Sequence, residues 1–214
     1  MSFFCRIISN VSLTHLNSLG LSDNRLTSVS LPSIIEHLSF KSLIVLDLSY
    51  YVMYGPGVAA LASFFSNRTV LEDVDLSSCG ITCADVTVLF SVLKVYSNRS
   101  EECRLASNLI GEQGVHSICS YLISEHCHLV ELDLSWNNAR EAGAGYFANV
   151  AIPYNKTLKV LNLSSNAIGD TGGQFLMSSL KLNSKLTHLT LSQKKIADYT
   201  CFVASKVVRV LPYL

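Results

Sequence analysis

The chain has 214 residues and a formal net charge of zero, with 16 Lys/Arg balanced by 16 Asp/Glu. That balance gives no global attraction to nucleic acid or to an anionic membrane, and no apolar run approaches the roughly 20 residues that span a bilayer. Charged residues make up 15% of the chain, well below the usual quarter or so, and mean hydropathy is +0.35, so serine carries much of the polar surface.

In chain order, the opening MSFFCRIISN has Arg6 inside its apolar run and no small-residue cleavage pattern, which argues against a signal peptide. Phe3, Phe4, Ile7 and Ile8 instead read as the last half of a helix, so residues 1–15 are expected to be a partial preceding repeat. From Leu16 an eleven-residue phrase recurs seven times at intervals of 27 to 29 residues. The copies are LNSLGLSDNRL from Leu16, LIVLDLSYYVM from Leu43, LEDVDLSSCGI from Leu71, SEECRLASNLI from Ser100, LVELDLSWNNA from Leu129, LKVLNLSSNAI from Leu158 and LTHLTLSQKKI from Leu186. A period of this length implies a stacked solenoid. Residues 16–196 are then seven strand units with intervening helices, and residues 197–214, ending in KVVRVLPYL, a C-terminal capping helix, all in one domain.

Within each phrase the fourth and sixth positions are apolar, the period-two pattern of a strand with one buried face. Leu46 and Leu48, Leu132 and Leu134, and Leu161 and Leu163 are expected to point inward. The ninth position is Asn24, Asn108, Asn137 or Asn166 in four copies and Cys79 in a fifth, while Tyr51 and Lys194 interrupt the series. An inward amide there can bond backbone groups that the turning chain leaves unpaired. Each phrase is followed by a glycine or polar corner. Helix-period stretches come next, as in GVAALASFF from Gly57, DVTVLFSVLKVY from Asp85, GEQGVHSICSYLISE from Gly111, EAGAGYFANVAI from Glu141 and TGGQFLMSSL from Thr171. Pro153 and the corners at Asn155 and Asn183 return the chain to the next strand.

Parallel strands pack about 4.8 Å apart, whereas helices are about 10 Å across, so the sheet must line the concave side of an arc and the helices its convex side. Seven strands give an inner edge of about 30 Å, a span suited to a protein partner. The phrase LxxLxLSxNxI with its GxxG corner resembles the ribonuclease-inhibitor type of leucine-rich repeat, over about Leu16 to Leu214. That resemblance implies an α/β horseshoe and a protein-binding role on the concave face or one rim. The same subfamily includes NOD-like receptor sensing arrays and the GTPase-activating protein of Ran. Neither chain end carries a polar outer face of the kind that closes such arrays, so self-association through uncapped ends is a further expectation.

The variable positions carry the functional expectation. The fifth-position column reads Gly20, Asp47, Asp75, Arg104, Asp133, Asn162, Thr190, joined by Glu72, Asp73, Glu101, Glu102 and Glu131 from the second and third positions. Like charges on adjacent strands repel, which suits a basic protein partner, although Arg104 between Asp75 and Asp133 could equally form a self-satisfied ladder. Trp136 and Tyr50 occupy eighth positions and are natural interface anchors, since Trp and Tyr dominate binding hot spots. The protein-binding set is therefore Tyr50, Glu72, Asp73, Asp75, Glu101, Glu102, Arg104, Glu131, Asp133 and Trp136.

Other chemistry is weakly signalled. From Met1 to Asn155 there are eight Lys/Arg and fourteen Asp/Glu, and from Lys156 onward eight basic residues and only Asp170 and Asp198. The basic end (Lys156, Lys159, Lys181, Lys185, Lys194, Lys195, Lys206, Arg209) reads as solvated surface rather than a nucleic-acid site. The groups GEQG and GDTGG lack the pattern of a phosphate loop. His126-Cys127-His128 lacks zinc spacing and would point its residues alternately apart. No nucleophile shares a motif with a histidine, and no catalytic residue, metal or cofactor is assigned. Asn-x-Ser/Thr triplets open at Asn10, Asn67, Asn98, Asn155 and Asn162, but seven unpatterned cysteines favour a reducing, cytoplasmic setting, with nuclear or ciliary ones compatible. The expected function is a non-enzymatic protein-interaction scaffold. Its alternatives are a Ran-type GTPase activator, using residues such as Asn24, Asn108, Asn137, Asn138 and Arg140, and a sensing fragment of a NOD-like receptor.

Overall fold

The computed structural model describes residues 15–24, 30–37, 42–53, 55–67, 70–95 and 101–192. The expected N-terminal helix residues Phe3, Phe4, Ile7 and Ile8, the C-terminal cap at 197–214, and Lys194, Lys195, Lys206 and Arg209 lie outside the described residues. Seven strands, β1 (Ser18–Gly20), β2 (Val45–Asp47), β3 (Asp73–Asp75), β4 (Glu102–Arg104), β5 (Glu131–Asp133), β6 (Val160–Asn162) and β7 (His188–Thr190), form one parallel sheet in sequence order. The register never slips: third, fourth and fifth positions of each phrase face their counterparts, as in Asp47↔Asp75 and Arg104↔Asp133.

The strands are short because each phrase supplies only one alternation before its corner. Leu46, Leu132, Leu161 and Leu189 point into the core from the fourth position, and Leu48, Leu134 and Leu163 from the sixth. Each buried leucine contributes about 1.5–3 kcal/mol. Between strands run α1 (Ser30–His37), α2 (Gly55–Phe65), α3 (Cys83–Val95), α4 (Gly111–Leu122), α5 (Arg140–Tyr146) and α6 (Gly169–Ser179). Each helix from α1 to α5 packs on the helix after it, which makes the outer layer continuous. The five helix-period stretches all form helices. The helix α1, expected between the first two strands but without a named stretch, has Leu31, Ile34 and Ile35 at the i, i+3, i+4 spacing that buries them.

Two local departures have physical causes. Beyond Tyr146 the fifth helix widens into a π-helical stretch, Phe147–Ala151, before a last turn at Ile152–Tyr154. Pro153 lacks an N–H and its ring crowds the preceding turn, and a π-helical turn relieves both. The GxxG corners also do two different jobs. Gly111 and Gly169 hold φ of 62° and 69°, the left-handed turn expected of them. Gly114 and Gly172, three residues on, lie inside helices, where an added Cβ would come within 2.5 Å of Ile110 Cγ2 and 2.6 Å of Ile168 Cγ2, respectively. Their lack of a side chain permits close packing rather than turning.

Candidate functional site

The exposed side of each repeat divides into three zones. The second position of each phrase forms a strand-start edge: Asn17, Ile44, Glu72, Glu101, Val130, Lys159 and Thr187 are linked by N–H···O bonds of 2.7–2.8 Å, each donated to the copy before. Glu72 and Glu101, expected on the concave face, stand on this edge one residue ahead of β3 and β4. Third and fifth positions form the concave face. The eighth and tenth positions form a strand-end edge.

On the concave face, Arg104 does bind acids, but not the ones expected. Its guanidinium reaches Asp73 Oδ1 and Glu102 Oε2, each at 2.5 Å, rather than Asp75 and Asp133. The reason lies in the fifth-position acids themselves. Asp47, Asp75 and Asp133 each accept the backbone N–H of the serine two residues on, at 2.8–2.9 Å, and Asn162 accepts that of Ser164 at 3.0 Å. This local turn cap recurs wherever the phrase reads Asp-Leu-Ser or Asn-Leu-Ser, a signal visible in the sequence but not read as structural. The Asp133 carboxylate also accepts from Asn162 Nδ2 at 3.0 Å. Part of the acidic column is thus scaffold. Asp47 and Asp75 still lie side by side in register with no ion pair among the described residues, and Glu131 is exposed.

The strand-end edge is where the aromatics sit. Trp136 is 62% exposed and Tyr50 67%, so neither folds down over its loop. Both have φ of 59°, and Asp23, Ser78, Ser107 and Ser165 share this left-handed geometry in the other described copies. The cause is that the eighth N–H bonds the seventh-position carbonyl of the next copy, as Trp136 does to Ser164 and Tyr50 to Ser77. Left-handed backbone costs a bulky L-residue about 1 kcal/mol, which small polar residues feel less. Val52 and Leu109, at tenth positions, extend the edge with exposed apolar surface.

A family profile described as Leucine Rich repeat matches residues 125–140 and 154–177. Ribonuclease inhibitor of Mus musculus is 28% identical over 200 residues, covering 92% of this chain and 43% of that protein. This is a leucine-rich-repeat chain of the ribonuclease-inhibitor type. NACHT, LRR and PYD domains-containing protein 5 of Mus musculus is 28% identical over 146 residues, or 65% of this chain and 12% of that protein. NACHT, LRR and PYD domains-containing protein 3 of Bos taurus is 29% identical over 173 residues, 78% of this chain and 16% of that protein. The leucine-rich-repeat chain thus spans less than half the length of each of these relatives.

The repeat's asparagines are committed to the scaffold. Asn137 Nδ2 donates to Leu105, Leu134 and Ser135 carbonyls at 2.7–3.1 Å, and Asn166 repeats this one turn on while its Oδ1 accepts from Asn137 and Ala139 at 3.0 Å. Asn108 does the same, and Cys79 substitutes a thiol that donates to Leu48 O at 3.1 Å. Tyr51, the interruption in copy two, is buried at this position. A second ladder, at the corners before strands, uses Asn155 and Asn183, whose Nδ2 atoms reach Leu122 O and Ile152 O. Asn155 is buried and so engaged that its triplet is no accessible acceptor. Of the residues weighed for GTPase activation, Asn108 and Asn137 are buried, and Arg140 lies 3.6 Å from Glu112.

The cysteines of the leucine-rich-repeat core are unpaired. Cys79, Cys103, Cys119 and Cys127 are buried free thiols. Burial pushes the Cys79 and Cys103 thiols up to about 12, and those of Cys119 and Cys127 upward as well. Cys127 is buried while His126 and His128 reach solvent, and among the described residues no three His, Cys, Asp or Glu side chains converge as metal ligands do. No described helix is long and apolar enough to cross a membrane.

Proposed function

We propose that the chain is a non-enzymatic scaffold that holds a protein partner against its concave sheet and strand-end edge. Trp136 and Tyr50 are the anchors, and Asp73, Asp75, Glu102, Arg104, Glu131 and Asp133 form the polar floor, with Glu72 and Glu101 at its margin. The observation that carries this reading is the pair of exposed aromatics at left-handed positions that neighbouring copies fill with aspartate or serine. Neither the core nor the turn requires them, and exposed Trp and Tyr on a rigid frame make strong interface contacts. Asp47 and Asp75, which form no close ion pair among the described residues, favour a partner presenting Lys or Arg. Mus musculus and Sus scrofa relatives are named for inhibiting ribonuclease, which is consistent with a protein-binding use of such an array. Unpaired buried thiols suit a reducing compartment, and we place the protein in the cytoplasm.

The test is affinity capture with cross-linking, comparing wild type with Trp136→Ala combined with Asp75→Asn. The asparagine keeps an oxygen for the Ser77 N–H while removing the charge, so the turn survives. A partner cross-linked to the concave face should be lost from the variant, and more readily at about 0.5 M salt than at about 0.1 M. Equal recovery of the same partners by both proteins would sink the proposal.

A further inference from the structure

We propose that the strand-start edge is a self-complementary interface that pairs two copies of this chain around a two-fold axis at Val130. The argument rests on the order of charges along the edge and is independent of the concave-face reading. Along the backbone ladder the residues read Glu72, Glu101, Val130, Lys159 and Thr187, on the copies that contain β3 to β7. The charge is antisymmetric about Val130: acids stand on the two copies before it, and Lys159 on the copy after it. Lys185, exposed and held in the corner two residues before Thr187 by Asn183, supplies the matching cation for the last copy. None of these four charges forms an ion pair among the described residues, where the salt bridges belong to Arg104, His126 and Arg140.

A two-fold axis along the sheet normal at Val130 reverses the array direction and lays one edge against its own image. Strand β4 then meets β6 of the second copy, and β3 meets β7. Glu101 of each copy faces Lys159 of the other, Glu72 faces Lys185, and the half-buried Val130 faces itself. Such a contact is isologous and closes at two subunits. Parallel arrangement of the edges would instead oppose like with like. The same edge carries Tyr154 and Leu182, exposed by 66% and 70% in the corners ahead of β6 and β7, apolar surface that the pairing covers. The edge from β3 to β7 is about 19 Å long, too short for an obligate interface, so the dimer is a weak one, formed at micromolar concentration.

The charge pattern supplies its own decisive test. Sedimentation equilibrium on the full chain at about 50 mM salt should show dimerisation that about 500 mM salt weakens. Glu101→Lys alone sets a new ammonium against Lys159 in both halves of the contact, and Lys159→Glu alone places two acids together twice. Each variant by itself should dimerise about tenfold more weakly, with circular dichroism confirming an unchanged fold. Mixing the two restores both attractive pairs, so the mixture should recover a heterodimer, as should the double exchange E101K/K159E as a homodimer. Failure of wild type to associate at several hundred micromolar in low salt would overturn the proposal. So would association that neither single reversal weakens or that the mixture fails to restore.

Discussion

Asn137 shows how much of this protein depends on a single amide. Its Nδ2 donates to three backbone carbonyls, each shared with one other donor (Leu105 with Asn108, Leu134 with Asn166, Ser135 with the Ser107 N–H), and its position is fully buried. Alanine there removes these shared bonds and the Oδ1 that accepts from the Ile110 N–H, and leaves a cavity in the buried ladder, so Asn137→Ala should lose about 1–3 kcal/mol in urea unfolding, against about 1 kcal/mol or less for the exposed Asn138→Ala. The ladder of asparagines was legible from the sequence because the residue recurs at one phase. The role of Asp47, Asp75 and Asp133 as turn caps was not, because an aspartate at an exposed strand position looks the same whether it caps a serine N–H or awaits a cation. Only bond geometry separates the two, and it also redirected Arg104 to Asp73 and Glu102.

The helices pose a comparable problem for glycine. Gly114 lies where α4 approaches α3, with Val86 Cγ1 2.8 Å and Cys83 Cα 3.4 Å from a would-be Cβ. Gly173 faces open space inside α6. Gly114→Ala should therefore lower stability by about 1–3 kcal/mol through overpacking, while Gly173→Ala should raise it by about 0.5–1 kcal/mol through helix propensity. Thermal melts of the two variants give shifts of opposite sign if the helix contact is as described. In the sequence the four glycines of GEQG and GDTGG that share a phase look equivalent, and reading all of them as corners missed the second of each pair. Positive φ and close approach both select glycine, and only the neighbouring helix distinguishes them.

Across the molecule, the buried thiols tie stability to pH. In the unfolded chain a thiol ionises near 9, whereas burial holds Cys79 and Cys103 protonated to about 12 and shifts Cys119 and Cys127 in the same direction. The folded state therefore binds more protons than the unfolded state above pH 9, and stability must fall as pH rises through that window. The contribution is fully present below pH 9, and about 1 kcal/mol per strongly shifted thiol should be lost by pH 10. Urea unfolding at pH 7.5 and pH 10 checks the slope, and a stability that stays level would contradict it. At pH 8 these four thiols should resist alkylation until denaturant is added, whereas half-exposed Cys83 should react without it.

The seven-fold recurrence of one phrase determined the parallel sheet, its strand order, its register and the inward leucines, because a repeat that cannot bury its apolar face alone has one economical way to stack. Which departures from the phrase reach solvent was decided only by the tertiary structure. Trp136 and Tyr50 stay exposed because the turn holds them at positive φ. Glu72 and Glu101 fall on an edge because the strands begin one residue later, and Asp75 is half committed because a serine N–H points at it. Periodicity reports where a side chain stands along the repeat, whereas the direction it faces depends on backbone bonds made between neighbouring copies.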